Sequence, residues 1–380
     1  MNSTAESRLY YFDNLRAFAM IAGVFFHAAL AYSPMSHGIW FTSDAEQSVV
    51  VDWISWFTHL FRMPLFFVIA GFFVAYLVIN RGMGNMLWNR CKRIVFPFII
   101  FWPLCMWAIV AGMVWAATHV EQKSPLLQMI AYAMANPGTP PPPPTTMHLW
   151  FLYNLMFFCL FTWILGYINF NWIKQKISQL HPIVLLILFP LLLTPALTQV
   201  AAPIPAPESF FPQLWSFGFF GLFFAAGYFI YQQENFLDKF KNYSLFLLIG
   251  SIGIYVFYFS LLPEAFSFIP AADSFAKKLL LGSLEAIIAC WMTLFCVVTG
   301  KKCLNFRNRF LRFLSDSSYW IYIVHLPIIF AVQYKLMDSD FSLITKYSLS
   351  VTITLAIAIV SYLILVRWTP IGWLLNGRKK

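Results

Sequence analysis

Charge is what this sequence has least of. Of 380 residues, 15 are Asp or Glu and 25 are Lys or Arg, so 11% are charged, against about 25% in an average soluble protein. A chain so poor in charge cannot cover a water-facing surface, which excludes a soluble globular enzyme. Cysteine is scarce as well. Of the 6 cysteines, Cys105, Cys159, Cys290 and Cys296 fall in apolar runs, and Cys91 and Cys303 in basic connections. A disulfide framework is therefore not expected. The sequence also lacks metal-ligand spacing, a glycine-rich phosphate loop behind a strand, and an appended soluble domain. No metal and no bound cofactor is expected. Internal repeats are missing too, which weakens a transporter built from duplicated halves.

What is present is apolar. Hydrophobic residues make up 60% of the chain, with 42 Phe, 17 Tyr and 15 Trp, and the mean hydropathy is +0.71. Runs of the length that spans a bilayer, about 17–25 residues, fall near 15–34, 54–79, 94–117, 149–168, 182–200, 215–232, 244–262, 279–299, 317–334 and 347–366. The stretch 201–214, with Pro203, Pro205 and Pro207, reads as a loop. The expectation is an all-α integral membrane protein, a single domain over residues 1–380 built as a bundle of about ten transmembrane helices. The net charge of +10 would point to nucleic acid in a soluble domain. Here its distribution matters instead. With a cytoplasmic N-terminus, only Lys123, Lys277, Lys278, Lys335 and Lys346 lie outside and Arg62 lies within a span. The other basic residues all fall inside. This bias places both termini in the cytoplasm and makes the lipid bilayer, not nucleic acid, the expected partner.

The largest outer connection, roughly 118–148, contains five consecutive prolines, Pro140 to Pro144. These should hold a stiff polyproline II segment, either as a spacer or as the rim of an external site. The inner loops "RGMGNMLWNRCKR" and "GKKCLNFRNRFLRFL" are basic, which orients the protein and attracts anionic lipid. Ala29-Leu30-Ala31 resembles a signal-peptidase site, but Arg16, His27 and the nine further spans favour a retained first helix.

Ionisable groups inside spans are costly and mark functional sites. Arg16 and His27 stand eleven residues apart, about 1100° of helix and close to three turns, so they share one stripe some 16 Å long. Arg16 is either a snorkelling anchor or a ligand group, and His27 either a packing histidine or a reactive one. Arg62, with His59 at i−3, precedes Pro64, which frees backbone groups near that depth. Arg90 and Arg93 share a helix face, and planar guanidinium forks bind phosphate oxygens in pairs. Positive-inside anchoring explains their charge equally well. His148 and Trp150 open the fourth span, where Trp150 alone is an ordinary interfacial residue. His325 follows Tyr319 and Tyr322 within the ninth span. Glu285 lies within the eighth and needs a partner, such as a counter-ion.

These positions carry a resemblance. Arg16, ten residues, then His27, followed by Arg90-x-x-Arg93 and the blocks "MPLFFVIAGFF", "HLWFLYNL" and "SYWIYIVHLP", resemble the acyltransferase-3 family of ten-helix membrane O-acyltransferases over nearly the whole chain. Arg62 in "FRMPLFF", where many members carry His, together with "HLWFL" and the C-terminal "GWLLNGRKK", resembles the branch containing the periplasmic glucan succinyltransferase.

The resemblance implies a multi-pass enzyme of the bacterial inner membrane. It would move a succinyl or acetyl group from cytoplasmic acyl-CoA to a hydroxyl of an extracytoplasmic glucan or other carbohydrate acceptor. Arg16, Arg90 and Arg93 would grip the CoA phosphates. His27, with Arg16 on its stripe, would be the catalytic group. An alcohol needs a base aligned with its hydroxyl, and a general-base His27 and an acyl-imidazole relay through it both stay open. Arg62, His148, Trp150, Tyr322 and His325 would serve the acceptor, the oxyanion or acyl selection. The rival reading is a transporter or flippase for an anionic glycan or lipid-linked sugar, which ten helices with a polar interior would also fit.

Overall fold

The computed structural model describes residues 10–136, 138, 143–268 and 273–377. The chain enters through α1 (Tyr10–Ala29), which spans the bundle, and then α2 (Val49–Arg81), whose N-cap Ser48 accepts from the Val50 amide. Next come α3 (Met83–Arg90) and α4 (Phe96–His119), joined without a break by a wide turn at Cys91–Val95. The short α5 (Pro125–Ala135) precedes α6 (Trp150–Leu165), the polar α7 (Asn171–Gln179) and α8 (Pro182–Leu197). Then follow α9 (Leu214–Gln232), α10 (Ser244–Ser260), α11 (Phe275–Cys303), α12 (Arg309–Leu336), α13 (Leu343–Ser361) and the terminal α14 (Pro370–Asn376).

Among the described residues, nine helices are long and apolar enough to cross a membrane. They match nine of the ten expected spans. The remaining one, expected at 182–200, is α8, whose 16 residues reach about 24 Å, short of a hydrocarbon core of about 30 Å. The connection expected over 118–148 is not all loop, because Ser124 caps α5 within it by accepting from the Leu127 amide. Pro140–Pro142 lie outside the described residues.

α1 is a core helix, packed on α2, α11, α12 and α13, with Ala29, Leu30 and Ala31 buried at its end. The tightest pair is α2 with α9. Gly71 lies directly on the backbone of Phe224, and Gly227 directly on the backbone of Val68. Neither position has room for a β-carbon. Small residues of this kind let membrane helices approach closely where no hydrophobic effect drives them together. Around the seam, Phe67, Phe158, Trp150 and Phe220 stack into an aromatic core.

Three prolines that break the helical ladder are each answered from a neighbouring element. A proline leaves the carbonyl four residues earlier without its donor, and in lipid that oxygen must be satisfied within the protein. Pro97 frees the Arg93 carbonyl, which accepts from the Tyr319 hydroxyl at 2.6 Å. Pro190 frees that of Leu186, which accepts from Trp291 Nε1 at 3.1 Å. Pro327 frees that of Ile323, which takes His148 Nε2 at 2.9 Å and Cys105 Sγ at 3.3 Å. Two of these three pairs border the candidate site.

Glu285 has a partner, but not a cation. Its Oε1 accepts from the backbone amide of Ile204 at 2.6 Å, and among the described residues it forms no ion pair. His59 Nε2 donates to the Ile204 carbonyl at 2.8 Å. Between them these two side chains hold the 201–208 loop, which dips into the bundle with Ile204 buried. A buried ion pair does occur elsewhere, between Asp44 and Lys346 at 2.9 Å.

Candidate functional site

One cavity of about 2030 Å³ runs through the bundle. At the end carrying Arg81, Arg90 and Arg93, here the basic end, it is also lined by Asn89, Asp316 and Asn376. At the far end its walls are Pro143, Pro144, Glu208, Asp273 and Lys277. Small-molecule pockets usually hold about 300–1,000 Å³, so this space has room for two ligands.

The basic end is rich in guanidinium groups, and among the described residues Arg16 alone of Arg16, Arg90 and Arg93 has a carboxylate partner. Arg16 donates Nη2 to Ser315 Oγ at 2.7 Å and to the Ser315 carbonyl at 3.1 Å, while its Nε has no partner. Asp13 Oδ1 stands 3.7 Å from Arg16 Nη2, at ion-pair distance. Arg90 ends α3, and Arg93 sits in the wide turn, whose i→i+5 bonding is frequent at functional sites. Among the described residues neither forms an ion pair. The buried Arg90 Nε and Asn89 Oδ1 also lack partners. Arg93 packs on Gly377, whose φ of +81° and bare α-carbon allow the contact. Asn376 donates to the Asp316 carbonyl at 2.9 Å, so the C-terminal α14 closes this mouth from the side.

Midway along the cavity, three histidines from separate elements converge. His27 of α1 and His325 of α12 have ring centroids 5.0 Å apart, with Nδ1 and Nε2 facing at 3.1 Å. His148, in the turn before α6, lies edge-on to His325 at 5.3 Å. Arg62 is buried beside them, with its guanidinium 4.0 Å above the Phe26 ring. It has no carboxylate partner among the described residues, and its Nη1 is unbonded. A cation left so exposed to apolar surroundings needs an anion or strong dipole, and the cavity is the place for one.

The structure brings together all nine residues expected to form the site. His27, Arg16, Arg90, Arg93, Arg62, His148, Trp150, Tyr322 and His325 all line this one cavity. Trp150 is not an interfacial residue, since it is 7% exposed and stacks on Phe67 and Phe220. The hydroxyl of Tyr322 is already engaged, donating to the His148 carbonyl at 2.6 Å. Three participants were not anticipated: Ser315 under Arg16, Trp40 stacked on His27 at 6.2 Å with its indole N–H unbonded, and the 201–208 loop. The Tyr319–Arg93 contact had a signal, because Pro97 stands four residues after Arg93.

At the far end, Glu208 lines the cavity, and its backbone carbonyl accepts from the Thr146 amide at 2.7 Å. Burial pushes its carboxyl up to about 7 by disfavouring the charged form. Asp273 and Lys277 pair across one turn at 2.8 Å.

Comparison with known proteins identifies the family. The acyltransferase-3 family model, described as an acyltransferase domain, matches residues 9–364. Glucans biosynthesis protein C of Escherichia coli O81 (strain ED1a) is 27% identical over 356 residues, covering 86% of this chain and 84% of that protein. The protein of the same name from Salmonella paratyphi B (strain ATCC BAA-1250 / SPB7) is 24% identical over 396 residues, covering 100% of this chain and 97% of that protein. No solved structure gives a significant match. With nine apolar helices long enough to cross a membrane among the described residues and a family match over almost its full length, the chain belongs to the acyltransferase-3 family and is a multi-pass membrane acyltransferase.

Proposed function

We propose that this acyltransferase moves a succinyl or acetyl group from acyl-CoA at the basic end to a hydroxyl of a glucan or related glycan at the far end. The observation that carries the reading is the continuous cavity from Arg90 and Arg93 past His27 to Glu208 and Lys277. The basic end faces the cytoplasm by the positive-inside rule, in a bacterial inner membrane. Arg90 and Arg93, which form no ion pair among the described residues, and Arg16, held by Asp13 and Ser315, grip the CoA phosphates, for which guanidinium forks are suited. The pantetheine arm follows the α1 stripe for about 16 Å and brings the thioester to His27.

The acceptor oxygen attacks the thioester carbonyl while His27 takes the hydroxyl proton. The C–S bond then breaks, and the CoA thiolate leaves and recovers that proton. Arg62, unpaired and desolvated, stabilises the tetrahedral oxyanion or holds the free carboxylate of a succinyl group. Trp150, the bare Nδ1 of His148 and the Tyr322 edge position the sugar. The size of the cavity favours direct transfer with both substrates bound.

The test is CoA release by purified protein from acetyl-CoA and succinyl-CoA, with and without an oligosaccharide glucan. Wild type and His27→Ala are compared, and the product is read by mass spectrometry. Acceptor-dependent release that His27→Ala abolishes is expected. No release from either donor by folded protein would overturn the reading. Loss of succinyl but not acetyl transfer in Arg62→Ala would assign Arg62 to the acyl group, and loss of both to the oxyanion.

A further inference from the structure

We infer that His325 is a positioning residue for His27, fixing which nitrogen of the catalytic imidazole is free to take a proton. The inference rests on the reading of His27 as the base. It follows from the backbone carbonyls around the two rings, because a carbonyl oxygen can only accept and each nitrogen aimed at one must carry the hydrogen.

His325 Nδ1 stands 2.7 Å from the Tyr322 carbonyl and 3.2 Å from that of Ile321, so the proton of the neutral ring is on Nδ1. Its Nε2 is then a bare acceptor. His27 Nδ1 stands 2.9 Å from the Gly23 carbonyl and 3.1 Å from His325 Nε2. The His27 proton therefore also lies on Nδ1, shared between two acceptors that both require it there. His27 Nε2 is left bare, without a protein partner among the described residues, in a side chain that lines the cavity. That is the atom a base must present to the acceptor hydroxyl.

His325 itself is 2% exposed, and both its nitrogens are engaged. It has no donor left for an oxyanion, so its contribution passes through His27. The logic is that of a base oriented by a third group which holds its tautomer, with a neutral imidazole in place of a carboxylate. His148 extends the set but is not a link in it. Its Nε2 hydrogen is given to the carbonyl freed by Pro327, and its Nδ1 is unbonded.

The test compares His325→Leu, which removes the acceptor, with His325→Gln, whose amide oxygen can take the place of Nε2. In His325→Leu, kcat should fall about 100-fold with the donor KM within about threefold, and His325→Gln should recover most of that loss. Independently of turnover, 15N spectra of histidine-labelled protein should show His27 protonated at Nδ1 in the wild type. In His325→Leu they should show a mixture of tautomers. Thermal unfolding checks that each variant is folded. A wild-type His27 carrying its proton on Nε2 would overturn the inference. So would an unchanged kcat in folded His325→Leu, or a His325→Gln as impaired as the leucine variant. A wild type that releases no CoA but shows the Nδ1 tautomer, lost in His325→Leu, would count against the proposed reaction and support the positioning contact.

Discussion

Tyr319 donates its hydroxyl to the carbonyl oxygen of Arg93 at 2.6 Å, linking α12 to the turn that presents the basic end of the cavity. The bond exists because Pro97 cannot supply the amide that an unbroken helix would place there. It ties the direction of the Arg93 side chain to a helix that also carries Ser315, the partner of Arg16. Tyr319→Phe leaves a buried carbonyl without a donor, a loss of about 1–3 kcal/mol. The expected outcome is a lower Tm and an acyl-CoA KM raised several-fold, with kcat nearly kept. An unchanged KM would separate the Arg93 turn from donor binding.

The α2–α9 seam makes a sharper prediction. A methyl at Gly71 or Gly227 would fall on backbone of the facing helix, at Phe224 or Val68, and backbone cannot turn away as a side chain can. Gly71→Ala and Gly227→Ala should each cost about 3 kcal/mol through forced separation of the helices. Gly23→Ala, where a β-carbon meets nothing within 4 Å, should leave Tm close to wild type. Thermal unfolding of the three variants in one detergent decides it. Equal Tm values would mean that α2 and α9 pack less closely than described here.

The spans were legible because lipid leaves the sequence few options: every buried backbone group is paired within a helix, so long apolar runs must be helices. α8 departed from expectation because hydropathy counts apolar residues and does not measure where a helix ends, here at Leu197 with Thr198 as its C-cap. The site's residues were legible by type, since Arg16, His27, Arg62 and His325 are all costly in hydrocarbon. Their mutual arrangement was not. His27 and His325 are separated by 298 positions, and nothing in either helix's periodicity says that their rings meet. Glu285 shows the same limit. A buried carboxylate announces that it needs a partner, but not that the partner is the amide of Ile204, supplied by a loop that folds back into the bundle.

That amide gives a further test. Glu285 Oε1 takes the Ile204 amide and His59 Nε2 the Ile204 carbonyl, in the two peptide units flanking its α-carbon, so the 201–208 loop is held where it lines the cavity. Glu285→Gln keeps an acceptor oxygen and should preserve Tm and activity to a large degree. Glu285→Leu orphans the buried amide, at about 1–3 kcal/mol. It should also raise hydrogen exchange over 201–208 before the rest of the bundle opens. Identical exchange in the two variants would show that the loop is held by its packing alone.

Glu208 supplies the pH dependence. Its ordinary carboxyl value is 4.5, and burial at the far end of the cavity raises it to about 7. The folded protein therefore binds this proton more tightly than the unfolded chain does, and the sign follows from linkage. Below about pH 4.5 both states are protonated and the group makes no difference. Between about 4.5 and 7 the unfolded carboxyl ionises while the folded one resists, so stability is lost as pH rises. Above about 7 both are charged and the loss is complete. Glu208→Gln keeps the shape and carries no such loss. Its Tm advantage over wild type should grow from pH 5 to pH 7 and then level off through pH 8. Because the backbone carbonyl of Glu208 also bonds the Thr146 amide, the substitution leaves the loop anchored and reads the carboxyl alone. A constant gap across the range would place the carboxylate in water rather than against the cavity wall. A gap that shrinks as pH rises towards about 4.5 would mean that a cation, with Lys277 on the same cavity lining the first candidate, stabilises the charged form.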